Sequence, residues 1–216
     1  MKVLAVILIL FCFQQAFAQG EFVERGKNAY CIGVSISGFE KYTAVGLNAG
    51  CSFDGTLDLS LTYSLFTNTD SKSTDGTSST AISPNVAIHI IKQNSIIPFA
   101  LSVYALYQRQ STTINSTDLT SNVHSWSIGG ELNHFFSVSP SFGVQPGLLF
   151  AFSDILNVEY RSTDSGVYTT GVSIANILNV ENNLIVFEPV VAFGNSETTF
   201  SFAIYFVGIL SNGDEL

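Results

Sequence analysis

Leu57-Asp58-Leu59-Ser60-Leu61-Thr62-Tyr63-Ser64-Leu65 decides the fold. Every odd position is apolar and every even one polar. A period of two puts the apolar set on one face of an extended strand. The same alternation returns at Phe200, Phe202, Ile204 and Phe206, interleaved with Ser201, Ala203 and Tyr205. Between Phe142 and Phe152 one face carries Phe142, Val144, Pro146, Leu148, Phe150 and Phe152. Its opposite face carries Gly143, Gln145, Gly147, Leu149 and Ala151. Helical spacing is not sustained anywhere beyond the N-terminal stretch.

Working outward from these runs, alternation predicts ten strands, at 29–39, 42–53, 56–66, 80–91, 96–109, 122–136, 141–153, 165–178, 183–194 and 198–209. Most are longer than the roughly 5–6 residues usual in soluble sheets and match the roughly 9–11 of a tilted membrane-spanning strand. The links between them alternate in length. Asp54-Gly55, Lys92 to Ser95, Ser137 to Pro140 and Asn179 to Asn182 are short. Thr67 to Ser79, Gln110 to Ser121 and Asp154 to Asp164 are long and rich in Ser, Thr, Asn and Asp, a solvated composition. The first and last links on the long side, Glu40-Lys41 and Asn195 to Glu197, are short but keep the parity.

Composition points the same way. Only 12% of residues are charged, against about 25% in soluble domains, and there are 18 Phe. A net charge of −9 argues against a nucleic-acid partner, which needs clustered Lys and Arg. At the N-terminus, Lys2, an apolar stretch from Val3 to Phe13 and Ala16-Phe17-Ala18 read as a cleaved export signal over residues 1–18. That leaves residues 19–216 as one domain. Cys12 is preceded by Phe11, where a lipoprotein signal calls for a small residue.

With this pattern the chain resembles the small bacterial outer-membrane β-barrel class, which includes outer-membrane protein X-like and single-domain porin-like proteins. The resemblance covers nearly all of residues 19–216 and implies an all-β, closed antiparallel up-and-down transmembrane barrel of about ten strands, between about eight and twelve. It implies placement in the bacterial outer membrane, with short turns on the periplasmic side. Two features depart from the class. The chain runs past Tyr205-Phe206 to Ser-Asn-Gly-Asp-Glu-Leu rather than ending on an aromatic residue. Pro84, Pro98, Pro146 and Pro189 all fall inside predicted strands, where bulges would accommodate them; otherwise one or two of the strands are wrong.

If the apolar face meets lipid, the lumen receives Asn48, Asp58, Asn85, His89, Ser102, Tyr104, Glu131, Asn133, Gln145, Ser173 and Glu188. Of these, Asp58, His89, Glu131, Gln145 and Glu188 lie close to the short-turn end and are expected to converge in one polar layer. No Lys or Arg shares the inward faces, and carboxylates without a cation are costly to bury. A hydrated hydrogen-bond network filling a narrow barrel is the expectation, ahead of a cation-attracting lumen. Aromatics near strand ends, Tyr107, Trp126, Phe136 and Phe152 among them, suit interfacial girdles.

Cys31 and Cys51 come nearly opposite each other when the first hairpin folds about Glu40-Lys41. An exported protein permits a disulfide between them. Their faces differ, so a bridge requires a bulge. Two cysteines and three scattered histidines show no metal-ligand spacing, and no cofactor is expected. No G-x-S-x-G, H-E-x-x-H or P-loop occurs, and His124 at the outer rim is a lone histidine, so an enzyme is not expected. Gly-Asp-Glu-Leu at the C-terminus and Asn115-Ser116-Thr117 are short motifs of a kind that arises by chance.

The sequence therefore points first to a barrel anchored in outer-membrane lipid whose long polar links meet an extracellular ligand or surface partner. A narrow pore preferring cations through Asp58, Glu131 and Glu188 is the second reading. A secreted soluble barrel or sandwich with an internal ligand is the third.

Overall fold

The computed structural model describes residues 22–39, 42–68, 77–114, 119–156, 166–194 and 198–210. Strands β1 (Asn28–Phe39), β2 (Tyr42–Phe53), β3 (Leu57–Asn68), β4 (Thr77–Ile91), β5 (Ala100–Ile114) and β6 (Leu119–Asn133) run up and down in sequence order. After a four-residue strand, β7 (Phe136–Ser139), come β8 (Phe142–Ile155), β9 (Val167–Val180), β10 (Asn183–Phe193) and β11 (Thr198–Leu210). All pairings are antiparallel. Two seams close the sheet on itself: β1 pairs with β11 from Asn28↔Leu210 to Gly38↔Phe200, and β6 pairs with β8 from Ser125↔Ile155 to Asn133↔Gly147. With β7 an appendage of β8, the barrel has ten long strands.

Sidedness is the reverse of a soluble protein's. Ile32, Leu47, Leu148 and Phe200 on the outer wall are each more than half exposed. Ser35, Asn48, Thr62, Ser83 and Gln108 point inward and are buried. A continuous apolar exterior around a polar interior is the arrangement of a barrel that spans a membrane.

Besides β6 ending at Asn133 rather than 136, and β7 occupying the link expected at 137–140, the strands match the predicted segments with three corrections. First, β5 and β6 run on to Ile114 and from Leu119, so the long link expected at 110–121 narrows to residues 115–118, and β3, β4 and β8 lengthen likewise at their outer ends. Second, 96–99 are not strand. Asn94 Oδ1 accepts from the backbone N–H groups of Ile96 and Ile97, both at 2.8 Å, and folds that stretch into a turn holding Pro98. Third, the other three prolines need no bulge. Pairing of β4 with β5 lapses between Ile82↔Arg109 and Asn85↔Leu106, where Pro84 sits, and resumes in the same register. At Pro189 the β9–β10 ladder lapses between Phe187↔Asn176 and Val190↔Ser173, and Asn176 Nδ2 donates to Phe187 O and Ile174 O at 3.3 and 3.2 Å. Pro146 lies just past the last β6–β8 pair. The one bulge of β4 falls at Ile90, between His89 and Ile91.

The expected short turn at Asp54-Gly55 has φ of 55° at both residues, with Thr56 N donating to Phe53 O at 2.9 Å, the left-handed pair that suits the twist of a hairpin. The export signal lies outside the described residues, as do the C-terminal six and most of the long links.

At the β1–β11 seam Tyr205 lays its ring across Gly33, where an added Cβ would stand 2.4 Å from the ring and 2.6 Å from Ile204 O. Gly33→Val is expected to oppose closure at a cost of about 1–3 kcal/mol, seen as loss of the compact, fast-migrating band of unheated samples. Gly38→Val, where a Cβ meets nothing within 4 Å, is expected to leave that band unchanged.

Candidate functional site

Inward positions near the short-turn end build a polar belt. All five residues expected there turn into the barrel: Asp58, His89, Glu131 and Gln145 are buried and Glu188 is half-buried. On β3 and β4, Asp58 Oδ2 accepts from His89 Nε2 at 2.9 Å. With that proton on Nε2, Nδ1 accepts from the hydroxyl of Ser102 on β5 at 2.7 Å. Ser102 in turn stands directly opposite Glu131 of β6.

Glu131 reaches across β8 to β9. Ser173 donates to its Oε1 at 3.0 Å. That reach is possible because Gly147 lies between: a Cβ there would come within 2.5 Å of Glu131 Oε1 and 2.4 Å of Ser173 Oγ. Farther round, Glu188 on β10 shares a hydrogen bond with Tyr205 on β11. Gln145 is buried on the same face of β8 but makes no hydrogen bond to the other four among the described residues. The belt is thus two hydrogen-bonded segments set side by side, Asp58–His89–Ser102 and Glu131–Ser173, with the Glu188–Tyr205 pair beside them.

Above it, smaller networks fill the first strands. Asn48 accepts from Thr62 at 2.7 Å and donates to Ser35 at 3.4 Å, and Asn85 donates to Ser60 at 3.2 Å. Below it the interior turns apolar, which alternation did not anticipate. Ile177, Leu184, Val186 and Val207 point inward at the short-turn ends of β9, β10 and β11. Val23, preceding β1, is 1% exposed among them, with Phe22 packed alongside.

Lys92 Nζ donates to Val23 O and fastens this segment to the turn after β4. Gly26 N donates to Asp54 O at 3.3 Å, and Asp54 N to Asn28 Oδ1 at 2.9 Å. The signal for this plug was present in Leu184-Ile185-Val186-Phe187, a run apolar on both faces. Outside the barrel, Glu24 and Lys27 pair at 2.8 Å, and that hydrogen bond with the ammonium charge holds the Glu24 carboxyl below its usual range. The pair is therefore intact at neutral pH and lost only as pH falls through that lowered value.

Asp58, His89 and Ser102 make a Ser–His–Asp chain, but each is at most 2% exposed and so shut away from solvent. The rim histidine, His124, instead contacts Tyr107 O–H at 2.5 Å. The cysteine pairing offered by the first hairpin is not made. Cys31 faces the lumen opposite Gly50, Cys51 faces outward opposite Tyr30, and both thiols are free. Among the described residues, no group of three His, Cys, Asp or Glu is arranged to hold a metal ion.

No family model matches the sequence, and no curated protein matches it. Solved structures do match in shape. The translocator domain of the autotransporter NalP from Neisseria meningitidis superposes with a TM-score of 0.60 at 8% identity, covering 96% of this chain and 97% of that one. Its fold is that of the outer-membrane β-barrels. The β domain of the Bordetella autotransporter BrkA gives 0.55 at 9% identity over 87% of this chain and all of that one. A COG4313 outer-membrane channel from Pseudomonas putida F1 gives 0.54 at 10% identity, over 87% and 97%. At such identities the likeness to other outer-membrane barrels speaks for the fold alone.

The belt predicts a measurable coupling. His89→Leu removes the donor to Asp58 and the acceptor of Ser102, and is expected to destabilise by about 1–3 kcal/mol. Added to Asp58→Asn it should cost less than the sum, with a coupling of about 0.5–3 kcal/mol in a double-mutant cycle read by urea unfolding in detergent. Additive losses would mean that the three groups do not act together.

Proposed function

We propose that this chain works in a bacterial outer membrane as a closed scaffold, anchored by its apolar wall and presenting its outer links to an extracellular ligand or surface partner. One observation carries the reading: the lumen is occupied by side chains. Gln108 at 1%, Asp58 at 0%, His89 at 2% and Glu131 at 7% exposure line a space that leaves them almost no water contact. Narrow barrels are filled in this way, whereas a conducting lumen keeps its lining wet. Val23 and Phe22 add an apolar stopper at the short-turn mouth.

The scaffold role also agrees with the outer ends of the strands. They carry hydroxyl and amide residues such as Ser78, Ser79, Thr112, Thr113, Thr120 and Asn122, a polar surface raised on a rigid frame. The competing reading is a narrow cation-preferring pore, favoured by the likeness to a barrel that is itself a channel. In that case Asp58, Glu131 and Glu188 set selectivity.

Fractionation and bilayer recording separate the readings. The protein is expected to need detergent for extraction, to migrate differently when heated, and to give no conductance steps in planar bilayers. Steps with a cation preference that Glu131→Gln and Glu188→Gln abolish would assign it as a pore. Release into buffer without detergent, with no heat-dependent shift, would replace both readings with a soluble barrel.

A further inference from the structure

Three neighbouring strands carry the same outward change of chemistry towards their outer ends. On β5 the outward residues read Leu101, Val103, Ala105, then Tyr107, then Arg109, then Ser111. On β6, approached from the opposite end, they read Leu132, Ile128, then Trp126, then His124, then Asn122. On β8 they read Leu148, Phe150, then Phe152, then Asp154. Backbone register aligns the steps of β5 and β6, since Tyr107 is opposite Trp126 and Arg109 opposite His124; on β8 the step comes one outward position lower, with Phe152 opposite Ile128 and Asp154 opposite Trp126. The rings touch: Trp126 and Phe152 stand 5.5 Å apart edge to face, and Phe152 and Tyr168 5.1 Å apart. Such a row of rings marks the edge of the hydrocarbon. Arg109 lies two residues past it, about 7 Å along the strand, at headgroup level.

Arg109 is the only Lys or Arg on any described strand, its side chain is exposed on the lipid-facing wall, and it makes no ion pair or hydrogen bond among the described residues. Beside it, His124 is engaged through Nδ1 with the Tyr107 hydroxyl. When that hydroxyl donates, the imidazole proton resides on Nε2, so guanidinium and imidazole together offer donors only. Asp154 lies two strands from Arg109, about 10 Å by strand spacing, with its Oδ1 accepting from Ile155 N at 2.8 Å.

We infer that Arg109 and His124 form a binding site for the phosphate of a lipid headgroup, in the leaflet on the side of the long links. A phosphate offers acceptors only and meets a guanidinium through two parallel hydrogen bonds. The acyl chains of the same lipid lie against Tyr107, Trp126 and the apolar wall below them, so both ends of the molecule are met. This rests on the barrel spanning a membrane, which the extraction test checks separately.

The test uses the full chain in a neutral detergent, titrated with bisphosphorylated lipid A, with its dephosphorylated form, or with inorganic phosphate. Bound lipid is counted by native mass spectrometry, and the temperature of the heat-dependent gel shift is followed. Wild type is expected to bind the phosphorylated lipid at least tenfold more tightly than the dephosphorylated one. Arg109→Gln is expected to lose that preference while keeping its shift in detergent alone. Arg109→Lys, which keeps the charge but not the fork, should retain part of it, and His124→Gln should weaken it several-fold. Equal binding of both lipids by wild type, or an unchanged preference in Arg109→Gln, would overturn the site. Full displacement by inorganic phosphate would show a site for the free ion rather than the lipid. A wild-type protein with no heat-dependent shift would instead count against the membrane reading itself.

Discussion

Hydrocarbon offers no partner to a peptide group, so every N–H and C=O of a spanning sheet must find one inside the sheet, at several kcal/mol for each failure. Everything else in this molecule answers to that condition. The β1–β11 seam removes the edges that ten strands in a row would leave bare. Even the defects respect it. Where Pro189 cannot donate, the side chain of Asn176 turns to the backbone carbonyls of Ile174 and Phe187. Where β6 ends, Gln93 takes the part of a strand, donating to Phe135 O at 2.9 Å and accepting from Phe135 N at 2.6 Å. A polar side chain doing a neighbour's backbone work is the cheapest repair available in this medium.

Closure then dictates the interior. Once the apolar faces are turned outward, the lumen has to be filled from the remaining alternate positions, where Ser, Thr, Asn and Gln share the space with Ala. Small polar side chains leave room for the few large ones. Glu131 lies over Gly147, and Tyr104 over Gly129, where a Cβ would meet the phenol at 2.4 Å. Glycine in these strands is thus a complement to a large side chain on the neighbouring strand rather than a weakness. The result is an interior held by many modest hydrogen bonds, with the titratable groups strung along one level.

Much of this is legible in the sequence. Alternation in Leu57–Leu65 and its counterparts located all ten long strands and their faces, because a period of two in so many segments has one physical meaning. It also brought Asp58, His89 and Glu131 to a common height. What it could not supply depends on pairing register and on chain outside the repeats. That His89 joins Asp58 to Ser102, and that Glu131 passes over Gly147 to Ser173, are facts of neighbouring strands. Val23 was missed because a short segment before β1 has no period to read. The prolines misled for a similar reason: a missing donor in one strand says nothing until it is known whether the facing residue needs it. Pro98 lies in a turn that Asn94 builds, and alternation alone does not see such local side-chain to backbone bonds.

The two thiols that the first hairpin sets on opposite faces have a kinetic meaning. No disulfide joins Cys31 to Cys51, so the first hairpin closes without a bond between them. While the strands are still apart both thiols meet water. Once the cylinder forms, Cys31 is enclosed among inward side chains and Cys51 looks into lipid. Modification of Cys31 and of Cys51 therefore reports separately on the inside and the outside of the wall as it closes.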